Sequence, residues 1–479
     1  MTSARSVRPW TYYDIARSLC STCLAPIEAK IVLQDERVYL DKWCPHHGRE
    51  RVLLSDDVAY WRRCRETFLK PGDVPASFQT GMHWGCPLDC GLCPDHQQHS
   101  CVTLLEINDA CNLSCPVCYA SSGTHRLEHK PLEQVIAMLD AVVRAEGRPD
   151  VLQISGGEPT LHPELHAILA AAKARPFRHV MLNTNGLLLA KDPDLAKRLA
   201  ELQPGFEVYL QFDSLRDEAL VRLRGAKLAS VRRRALENLE AAGLSTTLVV
   251  TLEKGVNDDE IGAIVEHALT WDCVRGVTLQ PVQEAGRFEG YDPAVHRLTL
   301  SEVRRRIAEQ SPSFTLADLV PVPCHPDALV MGYALKFPAT DGCAASVIPL
   351  TRYATTDDLL SGAENTIVLE EVPALKDAVV RLFSTGIGPE EQAARLAELL
   401  CCLPRIDAGL RGLTYRNVFR VMVVRFMDAR DFDVRSAKQS CITFVQPDGR
   451  MIPFDTWNLL YRDPRRLEEL RARLDPWKA

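Results

Sequence analysis

The sequence predicts an α/β chain built on a partial (β/α)6 TIM barrel, with a cysteine-rich metal-binding region before it and a mixed region after it. Three observations carry this. Six short apolar runs alternate with amphipathic helical stretches between residues 101 and 285. The residues just after the first four runs are polar or glycine-rich. Eleven of the 17 cysteines lie between Cys20 and Cys118.

The runs predict strands over 103–107, 151–154, 179–182, 207–212, 246–252 and 276–281. Helices are predicted over 132–145, 164–174, 194–202, 229–242 and 258–271. In the first, Leu132, Val135, Ile136, Leu139 and Val143 share one face. Strand, helix, strand in succession is the pattern of a parallel sheet. In such barrels the chemistry sits at the C-terminal strand ends. Those ends carry Asn108 to Cys118, then Ser155-Gly156-Gly157-Glu158-Pro159, then Asn183-Thr184-Asn185-Gly186, then Asp213-Ser214. Four regions follow: 1–70 as a zinc-ribbon or rubredoxin-like metal-binding region, 71–100 as an auxiliary cluster segment, 101–285 as the core barrel, and 286–479 as a substrate-binding or auxiliary region.

The 479 residues are 46% hydrophobic and 25% charged, the balance of a globular protein. A net charge of −7 argues against a general nucleic-acid binder. No run approaches a membrane span and no signal peptide opens the chain, so a cytoplasmic protein is expected. Peripheral membrane contact stays open. In such a chain, clustered cysteines point to metal rather than to disulfides.

Cys111, Cys115 and Cys118 read C-x3-C-x2-C directly after the first barrel strand. A [4Fe–4S] cluster takes four cysteines, so three leave one iron open. That iron can chelate the amino and carboxylate groups of S-adenosylmethionine (SAM), whose reductive cleavage yields a 5′-deoxyadenosyl radical. Cys86, Cys90 and Cys93 repeat the spacing without a preceding strand. Cys101 is near enough in sequence to complete their ligand set, so an auxiliary [4Fe–4S] cluster is expected there. Structural zinc is the alternative at either triplet. Cys20-x2-Cys23 and Cys44-x2-His47 suit one tetrahedral ion, zinc or a rubredoxin-like iron, with His46 and Cys64 as rival fourth ligands. Cys273, Cys401 and Cys402 read as buried thiols, the latter two ending a helix over 390–400.

The triplet at Cys111, then Gly-Gly-Glu-Pro, then Thr184-Asn185-Gly186 on a six-strand barrel resembles the radical SAM superfamily over about residues 101–285. The resemblance implies that Gly156, Gly157 and Glu158 contact the SAM amino group. It implies that Asn185 and Ser214 lie near the ribose or carboxylate, and Thr251 and Asn257 near the adenine. Gln280, Pro281 and Val282 would end the sixth strand beside the nucleoside. Val117 stands where the family often has an aromatic residue, and Tyr119 follows. The wider layout is similar to the tetraether-synthase and methanopterin-methylase-like group. Its carriers are Cys44-Pro45-His46-His47-Gly48, both triplets, Val322-Pro323-Cys324, Phe426-Met427-Asp428, Cys441 and Pro447 to Phe454. That group holds a second auxiliary cluster in its C-terminal part. Here Asp455 stands where a cysteine is expected, and no second cysteine closely follows Cys324.

The resemblance implies attack on an unactivated C–H bond, first of a lipid chain with carbon–carbon bond formation, and as the alternative radical methylation of a pterin or other heterocycle. A low-potential donor, flavodoxin or ferredoxin, would supply electrons under anaerobic conditions. A non-catalytic iron–sulfur or zinc protein is the third reading.

Overall fold

A computed structural model describes residues 6–68, 71–337, 346–352 and 417–474. Cys343, Cys401, Cys402 and the helix expected over 390–400 lie outside the described residues.

The chain opens with four antiparallel strands in sequence order, β1 (Thr11–Leu19), β2 (Pro26–Gln34), β3 (Arg37–Cys44) and β4 (Gly48–Ser55). Asp35 and Glu36 turn β2 into β3 with φ of 50° and 57°, the positive values of a tight hairpin turn. A helix over Val58–Glu66 follows, capped where the Asp57 carboxylate accepts the Tyr60 N–H. Its Arg65 is buried and pairs with Asp433 at 2.7 Å and Asp327 at 3.0 Å, tying this region to the end of the chain.

The barrel strands form where the apolar runs predict them: β5 (Val102–Glu106), β6 (Val151–Ser155), β7 (His179–Thr184), β8 (Phe206–Gln211), β9 (Thr246–Leu252) and β10 (Val274–Pro281). Each pairs with the next in parallel. Both faces are covered, so the strands read as nearly unbroken apolar runs. The outer face packs under the helices Leu132–Glu146, Leu165–Lys173, Pro193–Ala200, Ala229–Ala241 and Ile261–Leu269. The inner face gathers Val102, Leu104, Val151, Met181, Tyr209 and Val249, so the sheet curls on itself.

The C-terminal part extends this sheet: β11 (Val320–Pro321), β12 (Leu329–Phe337), β13 (Ser346–Pro349), β14 (Val418–Val424), β15 (Ile442–Val445) and β16 (Met451–Pro453). β14 lies parallel beside β10, and β15 parallel beside β5. Eight parallel strands therefore stand in a row, with β12 and β16 antiparallel outside them. Among the described residues no strand pairing joins the two edges, so the barrel stays open along a seam. Side chains fill it: Leu329, Met331 and Val424 from one edge meet Cys101, Cys441 and Ile442 from the other.

Replacing Arg65 with alanine leaves Asp327 and Asp433 buried without their cation. The expected loss is about 3–5 kcal/mol, the cost of breaking a buried ion pair by removing one partner, measured as a lower urea midpoint.

Candidate active site and metal centres

The cysteine loop after β5 is held by backbone contact with the loop after β6. Gly157 N–H donates to the Asn108 carbonyl at 2.8 Å, and Glu158 N–H to the Ala110 carbonyl at 2.7 Å. A Cβ on Gly156 or Gly157 would collide with the carbonyls of Asn108 and Ala110 respectively, and Gly156 also has φ of +143°. The Gly-Gly pair is therefore what lets the two loops touch. From the other side, Cys118 and Arg287 exchange backbone hydrogen bonds of 2.9 and 2.8 Å. The Arg287 side chain donates to the carbonyls of Cys115 (2.6 Å) and Ser122 (2.8 Å). Cys111, Cys115 and Cys118 all line one cavity at the C-terminal strand ends. Burial pushes the Cys111 thiol up to about 12 and raises Cys115, the latter opposed by Arg224. Thiolates form here with the positive charge of a bound metal centre.

Glu158 is 1% exposed, and burial raises its pKa. One carboxylate oxygen accepts from Thr160 N–H (3.1 Å), the Thr160 hydroxyl (2.5 Å) and the Thr184 hydroxyl (2.7 Å); the other accepts from Asn185 N–H (2.7 Å). The Asn185 amide donates to Asn112, inside the cysteine loop, at 2.6 Å. The carboxylate thus ties the ends of β6 and β7 to that loop, while both residues still face the cavity. Thr251 also lines the cavity, its hydroxyl accepting from Arg224 at 2.7 Å. Arg224 is clamped by Asp213 through bonds of 2.6 and 2.7 Å and reaches the Val117 carbonyl at 3.2 Å.

Two expected contact residues fall outside the cavity lining. The Ser214 hydroxyl donates to buried Glu260. The Asn257 amide donates to the Asp213 and Thr251 carbonyls, both at 2.8 Å. These side chains brace the ends of β8 and β9. Sequence reading also missed Arg232. Its side chain is fully buried, and its three guanidinium nitrogens have no hydrogen-bond partner among the described residues. Its charged neighbours are Asp213, Arg224, Cys115 and Glu158. Burial pulls its pKa down to about 10, which leaves it cationic at neutral pH. Arg232 does not itself line the cavity, so its charge is held within the packed interior. Arg232 shares a helix face with Ala235, Leu236 and Leu239, and that phase was the available signal.

Inside the barrel the cavity is lined by the amides Gln153, Asn183, Gln211 and Gln280 and by apolar Met181, Met331, Met422, Val424, Phe426 and Phe454. Gln280 reaches the Tyr209 hydroxyl at 3.3 Å, and Asn183 reaches Ser155 at 3.2 Å.

Among the described residues three tight donor groups lie elsewhere, one at the N-terminal sheet and two that share Cys101, with Cys324 and Cys441 and with His99 and Asp150. At the N-terminal sheet, Cys20, Cys23, Cys44 and His47 converge within 4.8 Å. Both Cys20 and Cys44 stand 3.5 Å from His47 Nδ1, and Cys23 stands 4.0 Å from Cys44. Two thiolates on one tetrahedral metal stand about 3.8 Å apart, and a thiolate and an imidazole nitrogen about 3.6 Å, so the spacing suits one ion. The rivals His46 and Cys64 are outside the group. Cys64 packs in the barrel core with its thiol pushed up to about 12 by burial. Cys86, Cys90 and Cys93 line a second hollow with Asp95 and His96. Cys101 is not among its lining, which corrects the expected fourth ligand: its thiol converges with those of Cys324 and Cys441 within 4.8 Å. The strand start at Val102 sets this, because Val102 pairs with Ile442 and puts Cys101 beside Cys441. Cys273 is buried in the core, as expected.

Comparison with known proteins followed from this geometry. Residues 105–268 match the model of the radical SAM superfamily, and residues 12–56 match the HMPTM N-terminal zinc ribbon domain. The 7,8-dihydro-6-hydroxymethylpterin dimethyltransferase of Methanocaldococcus jannaschii is 29% identical over 96% of both chains. A GTP 3′,8-cyclase of Chlorobaculum tepidum is 31% identical over 43% of this chain and 61% of the cyclase. Among solved structures, Streptococcus suis SuiB bound to S-adenosylmethionine is 16% identical with a TM-score of 0.33, over 41% of this chain and 45% of that one.

Glu158→Gln, at a carboxylate that lines the cavity, removes one charge-assisted contact of about 1.5–3 kcal/mol. SAM binding to the reconstituted protein, measured by equilibrium dialysis, should weaken roughly ten- to a hundredfold. The iron–sulfur absorbance should stay unchanged.

Proposed function

From the premise that residues 105–268 match a radical SAM domain, we propose that this chain cleaves SAM reductively to methionine and a 5′-deoxyadenosyl radical and methylates a pterin-like heterocycle held in the barrel, the methyl carbon coming from a second one-carbon donor and not from the SAM that is cleaved. The observation that carries the SAM chemistry is one rim holding three thiols and the Gly-Gly-Glu turn. Bound there, the cluster and SAM would supply a 5′-deoxyadenosyl radical, which removes hydrogen from an unactivated C–H bond.

The chain's own residues do the positioning. Cys111, Cys115 and Cys118 hold the cluster, and Arg287 and Asn185 fix the loop that carries them. Gly156, Gly157 and Glu158, which line the same cavity, take the SAM amino group. The buried walls of the barrel keep water from the reacting atoms. Two supports favour the heterocycle: the printed activity of the Methanocaldococcus jannaschii relative, and the interior amides, which match the donor and acceptor edges of a pterin. A second reading, carbon–carbon coupling of lipid chains, is favoured by the methionine and phenylalanine wall formed by β12, β14 and the turn after β16.

Cys86, Cys90 and Cys93 would carry an auxiliary [4Fe–4S] cluster, with Asp95 and His96 lining the same hollow. A flavodoxin or ferredoxin would supply electrons. The N-terminal group would hold zinc, supported by the zinc ribbon match. The clustering of cysteines at metal-ligand spacing supports a reducing cytoplasmic setting. Among the described residues no helix is long and apolar enough to cross a membrane.

The test is 5′-deoxyadenosine formation by reduced, anaerobically reconstituted protein. A dihydropterin should stimulate it at least about tenfold, a barrier change of about 1.4 kcal/mol, and Cys115→Ala should abolish it. Stimulation by an archaeal or bacterial lipid extract alone, with chain deuterium appearing in 5′-deoxyadenosine, would move the substrate to the second reading.

A further inference from the structure

The thiols of Cys101, Cys324 and Cys441 meet from three distant parts of the chain. All three are buried, at 0%, 2% and 1% exposure. Their sulfurs lie within 4.8 Å of one another, with Cys324 and Cys441 at 3.4 Å. This group is separate from the SAM site, since Cys101 stands at the opposite end of β5 from Cys111.

Its place in the fold gives it a task. Cys101 and Cys441 precede the paired strands β5 and β15, on one edge of the open sheet. Cys324 lies in the turn between β11 and β12, on the other edge. The three thiols therefore face one another across the seam that backbone pairing leaves open.

The spacing favours a single ion. Three thiolates on one tetrahedral metal stand about 3.8 Å apart, close to what is seen here. Ligands of a cubane sit on separate irons, and neither C-x3-C-x2-C triplet gathers its thiols so tightly. A fourth donor adjoins on the Cys101 side, where His99 also groups with Asp150 rather than with Cys324 and Cys441. His99 Nε2 is 3.6 Å from Cys101 Sγ, the separation about expected for imidazole and thiolate on one tetrahedral ion. The other ring nitrogen, Nδ1, faces the Glu146 carboxylate at 3.1 Å. A carboxylate on the far nitrogen orients a metal-binding imidazole and fixes its tautomer.

We propose that Cys101, Cys324 and Cys441, with His99, hold one soft divalent metal ion, zinc or ferrous iron, that staples the seam of the barrel. Thiolate-rich, dry sites select such ions. The staple joins the start of the barrel to two C-terminal strands and so holds the substrate wall of β12 and β14 in place. It is independent of what the cavity binds.

The test uses the full chain, purified anaerobically, with zinc, iron and sulfide counted per chain. Cys324→Ser should lose about one metal equivalent and no sulfide, and should unfold at lower temperature; Cys273→Ser, buried elsewhere, should lose none. In cobalt-loaded protein the thiolate charge-transfer band, shared with the three N-terminal thiolates, should fall by about half in Cys324→Ser, and His99→Ala should shift the visible cobalt bands. Peptide mapping of the unreduced parent needs no variant and should find all three thiols free. Loss of sulfide together with iron, a Cys324–Cys441 disulfide, or unchanged metal content would each overturn the proposal.

Discussion

Two backbone hydrogen bonds, from Gly157 to Asn108 and from Glu158 to Ala110, are the constraint on which the site rests. They continue the β5–β6 pairing past the ends of the strands and into the loops. Side chains at residues 156 and 157 would prevent that approach. Once the loops touch, the Glu158 carboxylate lies where it can gather Thr160, Thr184 and Asn185, and Asn185 reaches back to Asn112. One close contact thereby sets the ends of three strands relative to the three thiols.

Charge is arranged around this frame with unequal completeness. Asp213 and Arg224 satisfy each other in a buried, two-bond pair, and Arg224 spends its remaining donors on Thr251 and Val117. Deeper in the barrel, Arg420 pairs with fully buried Glu207. Arg232 is different, because its charge is buried without a hydrogen-bond partner among the described residues. Such a group is costly in a dry interior unless an anion completes it. The contrast separates cations that are locked into scaffold pairs from one whose charge no hydrogen bond among the described residues completes.

The six barrel strands and the thiol triplet were legible because parallel strands covered on both faces show as apolar runs, and metal ligands show as short spacings. The helix over Asp217–Arg224, which delivers Arg224, is short and highly charged and was not read. Arg232 hides in the run Arg232-Arg233-Arg234, although its phase with Ala235 and Leu236 places it on the buried face. Strand β15 has only four residues, too few for a period to stand out. Cys324 and Cys441 are 117 residues apart, and no local pattern connects them. Cys101 was drawn to the nearer triplet by sequence distance, whereas strand pairing decides its neighbours.

The placement of β15 also bears on the order in which the molecule is made. The first barrel strand receives its outer neighbour from residues 442–445, near the end of the chain. The Arg287 clip on the cysteine loop belongs to a segment whose Glu284 N–H is held by Asp428 at 3.0 Å. During synthesis on a ribosome, residues 111–118 emerge hundreds of residues before these supports exist. The thiols must then wait in an unfinished barrel until the last strands leave the exit tunnel. The rim of the site is thus complete only once the C-terminal strands have been made.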